Sequence, residues 1–231
     1  MEYKDRKKDI LDILYANGRV SVLELAKTLF VSEMTIRRDL SKMEKDGVLK
    51  RYRGGAVLTA FSSEMPISQR FFVDESEKIY LSKKAINFLS DDLTIFIDSS
   101  STCHYIIPYI NRFKNITIVT NSVNALLIAS KSQLPCILLG GKYYCQDMCF
   151  VGSIAEQYAN GVNVDVAFFS SLGLSEDGII SDMDIEQTMI RKIIMSHSKK
   201  NIFLFEKNKL NKIYVYTLCH KTDVDELFIS T

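Results

Sequence analysis

With 231 residues, 47% hydrophobic and 25% charged, the chain has the composition of a folded globular protein with room for one large core and a small second domain, which excludes intrinsic disorder. No apolar run reaches the ~18 residues needed to span a bilayer, and five cysteines, at 103, 136, 145, 149 and 219, do not form a secreted disulfide framework. The net charge of +1 hides an asymmetry: residues 1–58 carry 13 Lys and Arg against 9 Asp and Glu, and the remainder 16 against 19, so a basic head precedes a slightly acidic body.

In chain order, Met1-Glu2-Tyr3-Lys4-Asp5 leads into a charged helix rather than a secretory apolar segment, and a cytoplasmic protein without a membrane partner is expected. The spacing predicts a first helix over about Asp5 to Ala16, with Ile10, Leu11, Ile13 and Leu14 on its core side and Asn17-Gly18 as its stop. Ser21-Val22-Leu23-Glu24 has the capping-box spacing that starts a second, short helix. Phe30-Val31-Ser32 breaks that helix and supplies the N-cap of a third. On the third helix Ile36, Leu40 and Met43 form one buried stripe, while Thr35, Arg38, Lys42 and Lys45 fall on the other side, with Arg37 at the flank. Gly47 stops it, and Val48 to Leu58, turning at Arg53-Gly54-Gly55, alternates like a β-hairpin wing.

An isolated charged helix pair of this kind is more often a solvated face. The basic balance of residues 1–58 tips the reading to a winged helix-turn-helix for double-stranded operator DNA. Ser21, Ser32, Thr35, Arg37, Arg38, Lys42, Arg51, Arg53, Gly54 and Gly55 are the candidate contacts.

Residues 59–76 contain Ser and Pro and no helical stripe, and are expected to link the head, 1–58, to an effector-binding and oligomerisation domain, 77–231. There, strand-like runs at Thr94–Asp98, Ile116–Thr120, Cys136–Gly140, Val164–Phe169, Ile202–Phe205 and Glu226–Ile229 alternate with helices, notably Glu77–Leu89, Val123–Ser130 and Ile185–Ser196. The rhythm predicts an α/β domain with a mainly parallel sheet covered by helices.

Ligands of such sheets bind beyond the carboxyl ends of the strands. Three of these ends are polar: Asp98-Ser99-Ser100-Ser101-Thr102, which opens a helix, then Thr120-Asn121-Ser122, then Gly140-Gly141-Lys142. Each alone reads as an ordinary cap or turn. Together at one sheet edge they read as a cradle for a phosphate. His104, His197 and His220 are isolated, and Cys145 and Cys149 lack an adjoining ligand cluster, so neither a metal nor a cofactor is expected, and no pair of groups fixes catalytic roles.

Val31 to Leu40, followed by Gly47, Leu49 and Arg53-Gly54-Gly55-Ala56, closely resembles the N-terminal signature of the DeoR family of bacterial transcription regulators, with Arg53 where that family usually carries His. The resemblance extends more loosely over about residues 5 to 230. It implies a sensor domain similar to the sugar-phosphate isomerase and CoA-transferase-like fold. The family's Asp-Ser-Gly-Thr-Thr loop matches Asp98 to Thr102, with Ser100 for the glycine and Ser101 for the first threonine. Thr120-Asn121-Ser122, Leu139-Gly140-Gly141, Gly152 and Asp165 to Phe168 also fit, and Glu206 to Lys209 aligns with the family's Asp-Ser-Ser-Lys motif. Glu186 matches the acid of the late helix, but Ile190 replaces the lysine expected after it, with Arg191 and Lys192 beside it.

By this resemblance Ser99 to Thr102 hold the phosphate, Asp98 and Glu186 accept from sugar hydroxyls, Lys209 pairs with the phosphate, and Glu206 stands in the same motif; Asp147 is a weaker candidate. The implied protein is a homodimeric or homotetrameric regulator, a repressor of carbohydrate-metabolism genes controlled by a phosphorylated sugar. Two other readings stay open: a sugar-phosphate isomerase-like enzyme tethered to DNA, and a regulator whose sensor domain has lost its ligand.

Overall fold

The computed structural model describes residues 3–17, 19–45, 49–58, 67–71 and 73–231. The expected helix stops at Gly18 and Gly47, Val48 at the wing's start, and the linker segment 59–66 lie outside the described residues. The chain divides into two compact units, Met1–Asp74 and Glu75–Thr231. No helix among the described residues is long and apolar enough to cross a membrane.

In the first unit, α1 (Tyr3–Asn17), α2 (Val22–Thr28) and α3 (Glu33–Lys45) enclose a core of Ile10, Leu11, Leu14, Leu25, Ile36, Leu40 and Met43. The capping box forms as the spacing requires: Glu24 N donates to Ser21 Oγ at 3.1 Å and Ser21 N donates to Glu24 Oε2 at 2.9 Å. Ser32 caps α3 by accepting from Thr35 N at 3.2 Å. The wing is the hairpin of β2 (Leu49–Tyr52) and β3 (Gly55–Leu58), joined through Arg53-Gly54.

A third strand that the sequence pattern did not reveal, β1 (Arg19–Ser21), pairs antiparallel with β3. It explains Gly55: a Cβ there would lie 2.2 Å from the Val20 carbonyl oxygen and 2.5 Å from the hydroxyl of Tyr52, which reaches across to donate to that same carbonyl. A short helix, α4 (Ile67–Arg70), falls within the expected linker.

The second unit begins with α5 (Glu75–Ala85), continued by a 3-10 turn at Ile86–Phe88. Then come β4 (Thr94–Ile97), α6 (Ser101–His104), α7 (Ile107–Ile110), β5 (Thr117–Thr120), α8 (Val123–Lys131) and β6 (Cys136–Leu138). A hairpin of β7 (Lys142–Tyr144) and β8 (Cys149–Val151) leads to α9 (Ser153–Asn160), β9 (Val166–Phe169), β10 (Gly173–Leu174) and β11 (Ile179–Asp182). The chain finishes with α10 (Ile185–Ser196), β12 (Asn201–Phe205), β13 (Tyr216–His220) and β14 (Glu226–Ile229).

The six expected strands form one parallel sheet in the order β14-β12-β9-β4-β5-β6. Side-chain alternation sorts its two faces. Ile95, Ile97, Ile118, Val166, Ile202 and Leu204 pack with Leu81 and Ala85 of α5, Ile107 and Ile110 of α7, and Ala125 and Ala129 of α8. Phe96, Phe169, Phe203 and Phe205 face the other way, with adjacent ring centroids 5.1 to 6.1 Å apart, against Ala155 and Ala159 of α9 and Ile190 and Ile194 of α10. Burial on both faces is why the central strands, β4, β5, β9 and β12, read as near-continuous apolar runs.

A second, antiparallel sheet, β10-β11-β13, was not expected from sequence. From β4 the chain winds outward to β5 and β6, then returns to the other side of β4 as β9 and winds on to β12 and β14. The reversal falls between β4 and β9, where the crevice of such a sheet opens.

In the turn between α2 and α3, Phe30 is 94% exposed and held at φ 54°. A side chain in this left-handed region costs roughly 1–2 kcal/mol, partly offset when glycine replaces it by the looser unfolded chain. Phe30→Gly is therefore expected to stabilise the head by about 0.5–1 kcal/mol, read as a higher urea midpoint at unchanged slope. A lower midpoint would show that the phenyl ring contributes packing.

Candidate DNA-reading head and effector site

On α3 the expected polar face is outward. Arg38, Lys42 and Lys45 are exposed, while Ile36, Leu40 and Met43 are at most 1% exposed. Arg38 and Arg53 have no hydrogen-bond or ion-pair partner among the described residues, which leaves both guanidinium groups open to a ligand. Other candidates are already engaged. Arg37 pairs with Glu33 at 3.1 Å, Lys42 lies 4.0 Å from the ring centroid of Tyr3, and Ser32 and Thr35 hydrogen-bond each other at 2.9 Å. Arg51 bonds Ser41 and Glu44, docking the wing onto α3, and the Ser21 hydroxyl is committed to the capping box. The exposed pairs among these are weak and exchange readily for a phosphate.

In the body, the candidates Asp98 to Thr102, Glu206 and Lys209 lie at the carboxyl ends of β4 and β12, on either side of β9, where they belong to two charge groups. The first is centred on Asp98, 1% exposed. Its Oδ1 accepts from Ser100 N at 2.9 Å and from Ser100 Oγ at 2.5 Å, and its Oδ2 from Ser170 N at 3.1 Å and Arg191 Nε at 3.3 Å. With four donors in place, Asp98 organises the loop rather than offering a free acceptor for a sugar hydroxyl. Arg191 Nη1 also donates to Asp182 Oδ2 at 2.7 Å. Gln187, one turn before Arg191 on α10, accepts from Ser99 Oγ at 3.0 Å and donates to Asp147 Oδ2 at 2.6 Å. Burial opposes the charge of Arg191, but Asp182, Asp98 and Asp147 outweigh it and raise its pKa above the ordinary arginine value.

The second group is centred on Glu206, which follows β12 and is 2% exposed. Lys209 Nζ lies 2.8 Å from Glu206 Oε2, 2.7 Å from Ser170 Oγ and 3.3 Å from Thr102 Oγ1, and Thr102 in turn donates to Glu206 Oε1 at 2.8 Å. Behind them Lys78 of α5, itself 2% exposed, stands 3.8 Å from Glu206 Oε1. Burial pushes the Glu206 carboxyl up, yet Lys209 and Lys78 together hold it below the usual glutamate value. Ser101, 6% exposed, has no hydrogen-bond partner among the described residues.

Two parts of the expected cradle sit differently. The helix opened by Asp98 to Thr102 is α6, only four residues long and capped by Ser100 through Cys103 N at 3.2 Å, so its dipole is too small to draw an anion by itself. Lys142, expected to add charge beside the glycines, is instead paired with Glu186 at 2.9 Å on the exposed rim. Gly152, at φ 83°, is where β8 turns into α9, and a Cβ there would meet Glu186 Oε1 at 3.3 Å. Gly140 and Gly141 turn the chain from β6 into β7, and Gly141 passes close to the Val151 carbonyl. Asn121 donates to Phe150 O at 3.0 Å and Ser122 caps α8, so both fasten the scaffold.

Two family models match, the DeoR-like helix-turn-helix domain over residues 6–60 and the DeoR C-terminal sensor domain over residues 73–231. The chain belongs to the DeoR family. It is a DNA-binding transcriptional regulator with a sensor domain. Among its relatives, the lactose phosphotransferase system repressor of Staphylococcus epidermidis is 30% identical over 230 residues, covering 97% of this chain and 91% of the relative. The L-fucose operon activator of Haemophilus influenzae is 29% identical over 230 residues, covering 99% and 91%. A solved D-ribose-5-phosphate isomerase in complex with phospho-erythronic acid is 22% identical, covering 59% of this chain and 54% of that one, with a TM-score of 0.44.

Sequence reasoning missed several members of these two charge groups. Arg191 and Gln187 lie at i and i−4 on the face of α10 that also buries Ile194, and that spacing was the available signal. Ser170 and Ser171 follow β9, so the strand-end rule that picked out Asp98 applied to them as well. Lys78 gave no signal, because Glu75-Ser76-Glu77-Lys78 reads as an ordinary solvated helix start. Cys103 and Cys149 are chemically quiet: burial pushes Cys149 up to about 12 and raises Cys103 as well, so both stay protonated at neutral pH.

Removing one side of a buried pair leaves an uncompensated charge, so Arg191→Met is expected to cost roughly 3–5 kcal/mol of stability, measured by urea unfolding. Because the folded pKa of Glu206 lies below the ordinary 4.5, its stabilisation is present above that value and is lost as pH falls through the lower folded value. Glu206→Gln should therefore flatten the loss of stability below pH 4.5. An unchanged acid limb would mean that the carboxylate is not held by the lysines.

Proposed function

We propose that this regulator is a repressor of carbohydrate-metabolism genes, acting as a homodimer or homotetramer, whose operator affinity is set by a phosphorylated sugar in the β4/β9 crevice. The observation that carries the reading is the Lys209 ammonium, seated between the Thr102 and Ser170 hydroxyls at the topological switch point, with Ser101 adjoining Thr102 in the chain and without a hydrogen-bond partner among the described residues. A phosphoryl group placed there would accept from Lys209 and from the hydroxyls, a set of donors that suits three terminal oxygens. Glu186 and Asp147, on the rim, are better placed than the saturated Asp98 to accept from sugar hydroxyls. The two relatives, a lactose phosphotransferase system repressor and an L-fucose operon activator, favour a sugar-linked effector.

The same residues suggest how binding is relayed. A phosphoryl group competing for Lys209 shifts the balance on Glu206, whose other cationic partner is Lys78 of α5. The neighbouring Glu77 accepts from Lys207 N at 3.0 Å and from Ser230 Oγ. Thus α5, the element at which the chain enters the body, is fastened by two consecutive residues to the segment carrying the effector lysine. Coupling requires that the effector prefer the arrangement with lower operator affinity.

Thermal-shift screening of the full chain against sugar phosphates should find a stabilising member, and a gel shift with that compound should show altered operator affinity. Ser101→Glu, which places a carboxylate where the phosphoryl charge belongs, is expected to bind operator normally and ignore the compound; a full response would put the phosphate elsewhere. Arg38→Ala should reduce discrimination between operator and random DNA by about 1–3 kcal/mol, whereas Arg53→Ala should weaken all DNA binding and flatten its salt dependence. Equal operator affinity of wild type and both variants would contradict the assignment of α3 and the wing. Turnover of any sugar phosphate in the panel would favour the enzyme reading instead.

A further inference from the structure

We infer that Met34 reads sequence by packing its thioether side chain against the 5-methyl group of a thymine in the major groove, beside the base pair contacted by Arg38. The inference rests on α3 being the helix that enters the groove.

At 100° per residue, the buried stripe of Ile36, Leu40 and Met43 defines one side of α3, with Asp39 turned inward to the Arg6 guanidinium at 2.8 Å. Directly opposite fall Met34, Arg38, Ser41 and Lys45. Met34 and Arg38, four residues apart, are neighbours on that ridge. Met34 is 77% exposed. A scattered surface methionine would need no explanation, but this one is the second residue of the helix, at the end whose side chains contact base edges in helix-turn-helix docking.

The polar side chains around it are turned on one another. Ser32 bonds Thr35 at 2.9 Å, and Glu33 pairs with Arg37 at 3.1 Å. The first turn of the helix therefore presents a large apolar group at the N-terminal end of the DNA-facing ridge, with an arginine that has no partner among the described residues one turn behind it. Of the groups that the four base pairs display in the major groove, the thymine methyl is the apolar one. The other edges are donors and acceptors, and a thioether would strip them of water without replacing the hydrogen bond. Met34 thus favours an A·T pair at the position it covers and disfavours a G·C pair there.

The test begins with selection of a random duplex library on the full-length protein, followed by replacement of each selected thymine with uracil, which removes the 5-methyl group alone. One replacement should weaken wild-type binding about fourfold, the value of burying one methyl-sized group, and should leave Met34→Ala at the affinity it has for the thymine duplex. Met34→Ala selected on the same library should lose base preference in that column only, with its melting temperature unchanged because the site is exposed and alanine favours helix. If no uracil replacement affects the wild type while Arg38→Ala still loses discrimination, Met34 is not a reader although α3 remains in the groove. If neither variant alters selection, the docking of α3 is itself wrong and the inference falls with it.

Discussion

Charges taken out of water must be neutralised where they sit, and this constraint organises the body of the protein. Asp98 and Glu206 both follow strands of the parallel sheet, on either side of β9, and both are almost fully buried. Neither is tolerable alone. Arg191 from α10 answers Asp98 and Asp182, and Lys78 and Lys209 answer Glu206. One helix on each face of the sheet, α5 and α10, is thereby tied to its carboxyl edge by ion pairs as well as by the aliphatic and aromatic packing beneath.

The two groups differ in what they leave for a ligand. Around Asp98 every donor and acceptor is satisfied internally, which fits a scaffold. Around Glu206 the lysine is partly exposed and holds the Ser170 and Thr102 hydroxyls, so the charge balance there can be altered by an incoming anion. A regulator needs both properties: a rigid frame that fixes geometry and one element whose partners can change. The head repeats the division. Arg6–Asp39, the capping box and the wing's attachment to α3 through Arg51 hold the frame, and Arg38, Arg53 and Met34 face outward from it.

How much of this was legible in the sequence follows from the range of the interactions. The central strands of the parallel sheet were readable because both their faces are buried, as in Ile202-Phe203-Leu204-Phe205, and the edge strands β6 and β14 because they too are short apolar runs. The capping box and the stripe on α3 were readable because they are local. The hairpin of β7 and β8 and the sheet of β10, β11 and β13 were missed because their strands are only two to five residues long and most mix polar with apolar residues, as in Lys142-Tyr143-Tyr144 and Ile179-Ile180-Ser181-Asp182. At the site, the rule that ligands sit beyond strand ends located Asp98 to Thr102, and the family resemblance supplied Glu206 and Lys209. It could not reveal that Asp98 would be saturated, since two of its four donors come from Arg191 and Ser170, far along the chain. Lys78 was invisible for the same reason: its burial is decided by Glu206.

The central claim is that the Lys209 end of this charge system reads a phosphoryl group. Isothermal titration of the full-length protein with sugar phosphates and with the matching unphosphorylated sugars tests it most directly, with Lys209→Ala alongside. The account predicts that one phosphorylated compound binds, that its parent sugar does not, and that Lys209→Ala loses at least about tenfold in affinity, in keeping with the loss of one charge-assisted contact. Equal binding of the parent sugar, or an unchanged affinity in Lys209→Ala, would contradict it.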